Sequence, residues 1–349
     1  MWIVSLNPIP RWTSGILCKI TRKAETEKRI RRTGKADRLI PKARRAEFAL
    51  FLVVVVWGAT FVSVQKAIGE IPVHSFHVLR FGVASLILLP LLLLRRMRRN
   101  QPSKSDPRIL WKAGLLTGLS LWLGYTCQTT GLLYTTPAHS GFLTGLSVVV
   151  VPPLALLFLR EKMNRGVITG VLLAASGLGL MTFGGEAQLA DPPANLDIVR
   201  GDMISFGCTI AFAFQIIFKA RYASKLSALA LTTVEIGTVF VLSVIAALTL
   251  EEIPDYSELS MTVWGAVALT GVLATAAAFL IQTWAQKSTT AVSTAVVFAM
   301  EPVMAALFSW WLIGELLSWT AASGGVLMIA GMLVAELGLP GQKKPDTAV

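Results

Sequence analysis

The sequence predicts an all-α membrane protein whose ten transmembrane helices form two inverted five-helix repeats. Three observations carry this prediction: apolar runs of spanning length, positive charge confined to one side of those runs, and a residue pattern that recurs at an offset of 154.

Composition sets the class. Of 349 residues, 54% are hydrophobic and only 15% are charged, with a mean hydropathy of +0.64. Soluble domains average about 25% charged residues, so lipid is the expected solvent. A helix needs about 20 apolar residues to cross roughly 30 Å of hydrocarbon. Runs of that length fall at 48–68, 74–94, 111–133, 137–159 and 164–184, and again at 202–219, 228–250, 261–284, 288–312 and 318–337. The first run follows Arg44 and Arg45 and continues past 20 residues without a small-residue cleavage site, so it reads as a span and not as a signal peptide.

Charge gives the sidedness. Residues 1–46 hold thirteen Lys and Arg against Glu25, Glu27 and Asp37, which is +10 of the formal net charge of +12. This segment has no zinc-ligand spacing, and its basic part, Lys19 to Arg45, has no aromatic interleaving. It reads as a disordered cytoplasmic tail lying near anionic lipid, not as a nucleic-acid reader. With the tail inside, the inner connections carry Arg95 to Lys112, Arg160, Lys162, Arg165, Lys219, Arg221, Lys225 and Lys287, and Lys343 and Lys344 follow the last span. That places 29 of the 32 basic residues inside, Arg200 outside, and Lys66 and Arg80 within spans. Both termini are then cytoplasmic and the chain is a multi-pass protein of the cell membrane. Cys18, Cys127 and Cys208 are isolated, so neither a disulfide framework nor a metal site is expected, and no cofactor is implied.

The repeat gives the architecture. Gln128-Thr129 recurs as Gln282-Thr283, Thr135-Thr136 as Thr289-Thr290, Glu161 as Glu315, Gly170 as Gly324 and Gly177 as Gly331. Five spans per unit is an odd number, so the second unit enters the membrane upside down, which is a transporter architecture. The expected organisation is a basic tail over 1–46, a first repeat over 47–184, an extracytoplasmic linker over 185–201, a second repeat over 202–338 and a C-terminal tail over 339–349. Pro152 and Pro153 stand nine and eight residues before Glu161, whereas Pro302 stands thirteen before Glu315. The fourth and ninth spans are therefore not expected to pair residue by residue.

Particular motifs add a resemblance. Trp57-Gly58-Ala59-Thr60-Phe61 followed by Leu79-Arg80-Phe81, and Glu301-Pro302-Val303 leading to Gly314-Glu315, Gly324 and Gly331, resemble the EamA-type transporters of the drug/metabolite transporter superfamily. The resemblance covers roughly residues 48 to 337. It implies a central solute pathway lined by both repeats and metabolites, amino acids or related compounds as substrates.

Polar groups inside hydrocarbon are costly and must face a cavity or a partner. Glu301 lies about 20 Å along the ninth span, at 1.5 Å per residue, and Pro302 behind it removes a backbone donor. It is either a solute-contacting or proton-titrating carboxylate, or one tied to a neighbouring helix. Arg80 either attracts an anionic group or clamps carbonyls at an outer helix end, while Lys66 can snorkel to the surface. Gln128 and Gln282 either bracket a substrate from two halves or join helices. Trp57, Tyr125, Ser147, Gln215 and Thr294 complete the pathway candidates, and Trp122 and Trp284 are further aromatic ones. Gly170/Gly177 and Gly324/Gly331 repeat every seven residues, so each pair lies on one helix face and permits close packing.

The expected function is a secondary transporter moving a small polar, amino-acid-like metabolite by alternating access, as an exporter or exchanger, with protons as a candidate coupling ion. A passive solute channel and a membrane-embedded enzyme are the competing classes. The enzyme reading lacks a motif, since His74, His77 and His139 form no HExxH and no GxSxG elbow is present.

Overall fold

The computed structural model describes residues 42–98, 106–183, 197–314 and 318–337, and all regular structure within them is helical. Most of the basic tail, most of the linker, Glu315 and the C-terminal tail lie outside these residues. The chain runs through α1 (Lys42–Ile68), α2 (Val73–Arg98), α3 (Pro107–Gly131), α4 (Pro137–Gly145), α5 (Ser147–Leu159) and α6 (Arg165–Phe183). After the linker come α7 (Ile198–Ala223), α8 (Ala228–Leu250) and α9 (Met261–Leu269), which continues through a π-helical segment (Thr270–Ala277) into α10 (Ala278–Ala285). The last elements are α11 (Ala291–Phe298), α12 (Glu301–Ile313) and α13 (Trp319–Leu337).

Among the described residues seven helical segments are long and apolar enough to cross a membrane, and Arg165–Leu180 and Ala322–Ala335 are shorter apolar helices. Helix α3 has the length, but Thr117, Ser120, Thr126, Gln128, Thr129 and Thr130 lower its apolar content. Several of its hydroxyls bond inside the helix instead of requiring water: Thr117 donates to Ala113 O at 2.9 Å and Ser120 to Leu116 O at 2.9 Å.

The offset of 154 governs helix ends as well as motifs. The pairs Pro107–Gly131 and Met261–Ala285, Ser147–Leu159 and Glu301–Ile313, and Arg165–Phe183 and Trp319–Leu337 all begin and end 154 residues apart. The same side chains open equivalent helices: Thr136 accepts from His139 N at the start of α4, and Thr290 accepts from Ser293 N at the start of α11. Arg160 and Gly314, also 154 apart, close α5 and α12 in the left-handed region with φ of 54° and 67°. The expectation that the fourth and ninth spans would not pair residue by residue is therefore corrected. Proline position changed without shifting the register, because Pro152 and Pro153 fall inside α5, whereas Pro302 falls in the first turn of α12, where no intrahelical donor is needed.

Helices from the two halves interleave. Backbone packs directly on backbone where α6 meets α13: a Cβ at Gly177 would stand 2.5 Å from Gly324 O and one at Gly170 would stand 2.6 Å from Gly331 O. With no hydrophobic drive between helices in lipid, such backbone contact supplies the dispersion energy of association. At the rims, carboxylates of one half cap helices of the other. Glu251 accepts from His74 N at 2.7 Å and Ser75 N at 2.8 Å at the start of α2. Glu161, in the α5–α6 connection, accepts from Ala291 N at 3.1 Å and Val292 N at 3.5 Å at the start of α11.

Two predictions follow from these contacts. Gly177→Ala places a methyl against backbone that cannot yield cheaply and should cost about 1–3 kcal/mol, seen as a lower melting temperature of the purified protein. Gly179, whose added Cβ would meet nothing within 4 Å, should accept alanine without loss, and equal effects at the two positions would contradict the packing account. Burial raises the Glu161 carboxyl above its ordinary 4.5, against the downward pull of its two N–H donors. A raised folded value means the contribution of this group is complete below 4.5 and is lost as pH rises through the folded value. Wild type should accordingly lose stability relative to Glu161→Gln as pH climbs, and parallel melting profiles would refute this.

Candidate functional site

The interleaving encloses a cavity between the two halves. It is bounded by Trp57 of α1, Tyr125 and Gln128 of α3, Ser147 of α5, Gln215 of α7, Gln282 of α10 and Glu301 of α12, with Phe212, Phe279 and Phe298 among its aromatic walls. An adjoining chamber shares Trp57, Tyr125, Gln128 and Glu301 and adds Arg80, Thr60 and Thr129. Mostly apolar walls with a few convergent polar groups are the usual lining of a small-molecule site.

Seven of the nine pathway candidates read from the sequence line the first chamber and Arg80 lines the second. Thr294 lines neither, since its buried hydroxyl turns back to donate to Thr290 O at 2.9 Å. Trp284 is 48% exposed, and Trp122 stacks on His74 with ring centroids 6.3 Å apart, so of the three tryptophans considered only Trp57 lines the cavity. Positions 154 apart meet across the cavity: Tyr125 and Phe279, Gln128 and Gln282, Thr144 and Phe298, and Ser147 and Glu301 all border it.

Arg80 is held inward, not clamped on carbonyls at a helix end. Its Nε donates to Thr275 Oγ1 at 2.8 Å and its Nη2 to the Tyr125 hydroxyl at 2.9 Å, while the guanidinium lies 4.3 Å from the Tyr125 ring centroid. Thr275 belongs to the π-helical segment, and the same segment offers Ala274 O to Trp57 Nε1 at 2.8 Å. Wider π turns leave backbone groups open to side chains and recur at functional sites. Gln128 Nε2 donates to Thr144 Oγ1 at 2.7 Å. Glu301 is 5% exposed and is the first residue of α12, so the positive end of the helix dipole lies at its base.

One pair escaped the sequence reading. Lys219, there assigned to an inner connection, is fully buried and its Nζ stands 2.8 Å from Glu235 Oε2, also fully buried. The count of inner basic residues therefore loses Lys219. Helix α7 extends four residues beyond it, which carries the side chain into the packed interior. The signal was available in Glu235, a lone carboxylate inside the apolar run of α8, since such a group needs a partner.

The comparisons with known proteins agree with this architecture. Residues 44–183 and 199–336 each match the model of the EamA-like transporter family. An uncharacterized transporter of Archaeoglobus fulgidus is 28% identical over 84% of this chain and 86% of its own length. The uncharacterized transporter YetK of Bacillus subtilis is 26% identical over 88% of this chain and 91% of its own. One solved crystal structure, 18% identical, superposes with a TM-score of 0.67 over 84% of this chain and 99% of its own, which shows the shared fold. Two matched segments that together span most of the chain, helices of spanning length and an enclosed cavity between them lead to one assignment: this protein belongs to the EamA-like transporter family and is a multi-pass membrane transporter.

Proposed function

We propose that the chain is a secondary transporter of the cell membrane that moves a small polar, amino-acid-like metabolite by alternating access, in export or exchange. In this reading ten spans form two inverted five-helix repeats, 47–184 and 202–338, and both termini are cytoplasmic. The observation that carries it is the cavity bordered by equivalent positions of both halves. A site on a pseudo-two-fold axis can be reached from either side at similar energetic cost, which is the condition for alternating access.

The charges give the site its chemistry. Arg80 and Glu301 both border the second chamber, one from each half, so it presents a cation and a carboxylate to a solute. That pattern suits a dipolar metabolite, and Glu301 doubles as the proton-titrating group. The apposed glycines of α6 and α13 are the surface on which the halves slide. The basic tail holds anionic lipid at the inner surface.

The test is counterflow in proteoliposomes with a labelled metabolite panel. Saturable exchange is the expected result, and conductance without saturation would establish a channel instead. Glu301→Gln should abolish the pH dependence of transport while leaving the protein inserted. A variant with the wild-type pH response would end the proton-coupling role.

A further inference from the structure

The geometry points to Lys219 and Glu235 as a positioning pair that fixes which hydrogen-bonding face Gln215 and Gln282 turn to the cavity, and so to a solute group with an acceptor and a donor side by side, of the carboxamide, lactam or urea class. This rests on reading the cavity as the solute site. All four side chains are buried, and of them Gln215 and Gln282 line the cavity whereas Lys219 and Glu235 do not.

An amide has two nearly isosteric ends, and only its partners decide which end faces where. An ammonium only donates, so the amide end facing Lys219 must be oxygen: Lys219 Nζ donates to Gln282 Oε1 at 3.0 Å. A carboxylate only accepts, so the end facing Glu235 must be nitrogen: Gln215 Nε2 donates to Glu235 Oε1 at 2.8 Å. The two amides then bond each other, Gln282 Nε2 to Gln215 Oε1 at 3.1 Å and Gln215 Nε2 to Gln282 Oε1 at 3.3 Å. Both N–H bonds of Gln215 are used by Glu235 and Gln282, and both lone pairs of the Gln282 oxygen are used by Lys219 and Gln215. What remains for a ligand is one N–H of Gln282 beside one lone pair of Gln215. A carboxamide edge complements that pair; a carboxylate opposes the lone pair and an amidinium opposes the N–H. Phe212 and Phe279 supply aromatic surface for a flat group.

A purely structural ion pair would tie α7 to α8 without setting ligand preference, and the two roles separate experimentally. The purified full chain is titrated by calorimetry with benzamide, benzoate and benzamidinium. Wild type should prefer benzamide. In Lys219→Met/Glu235→Leu, which removes both charges together and leaves none unpaired, the freed amides can rotate to suit any of the three, so the preference should fall by about tenfold. The charge-swapped Lys219→Glu/Glu235→Lys variant should retain the preference, since it pins both amides in the opposite sense. Gln282→Glu, which keeps the partner of Lys219 but removes the free N–H, should invert the order toward benzamidinium. Unchanged ratios in the folded charge-free variant overturn the positioning role, as does a benzamide preference surviving in Gln282→Glu if the charge-free variant does not fold. A wild type that binds none of the probes, or favours benzoate or benzamidinium, overturns the ligand class. Binding is read without transport, so a bound probe without counterflow sinks the transporter mechanism proposed above and leaves this inference standing.

Discussion

Hydrocarbon offers no hydrogen-bond partner, and the structure of this protein follows from that single constraint. Every backbone donor and acceptor within a span must be satisfied internally, which leaves helices as the spanning element here. Side-chain polar groups face the same demand. Thr117, Thr233, Thr238 and Thr270 meet it by bonding back to their own helices. Arg80, Gln128, Gln215, Lys219, Glu235 and Gln282 meet it by bonding one another or other buried groups, and this gathers them around the space between the halves. The polar interior of the transporter is thus the consequence of excluding polar groups from everywhere else.

The scaffold is close to symmetric and its chemistry is not. Helix bounds and caps repeat at 154 residues, yet Ser147 answers to Glu301, Phe81 to Glu235, Val234 to Arg80 and Gln65 to Lys219. Among the described residues each buried charge has an uncharged counterpart in the other half. A symmetric frame can take up two related conformations at comparable cost, whereas the charges are distributed unequally between the halves. The first is a property of backbone packing, concentrated in glycine contacts such as those of α6 with α13. The second is a property of a few side chains, and it can diverge without disturbing the frame.

Departures from regular helix occur where the frame meets the site. The π-helical segment over Thr270–Ala277 has no proline to announce it, and it supplies Ala274 O to Trp57 and Thr275 Oγ1 to Arg80. The breaks at Leu146 and at Ala299–Met300 come just before Ser147 and Glu301, so both of these cavity residues begin a helix instead of sitting in the middle of one. A helix start brings free N–H groups and a positive dipole end toward the cavity from each half.

The sequence by itself determined the helical class, the span-length runs, the family resemblance and most of the polar residues that line the cavity. These are one-dimensional signals: apolar length is set by bilayer thickness, the 154-residue register is carried along the chain, and an amide, arginine or carboxylate within an apolar run declares its own need for a partner. Only the tertiary structure decided who those partners are. Lys219 near the end of α7 reads as an interfacial cation until helix packing buries it against Glu235, and Thr294 reads as cavity-facing until its hydroxyl is seen turned onto Thr290. Arg80 likewise could not be given Thr275 and Tyr125, because they lie 195 and 45 residues away along the chain. Periodicity names the face a residue occupies within its own helix, but which helix covers that face depends on contacts between segments remote in sequence, and those exist only once the two halves have interleaved.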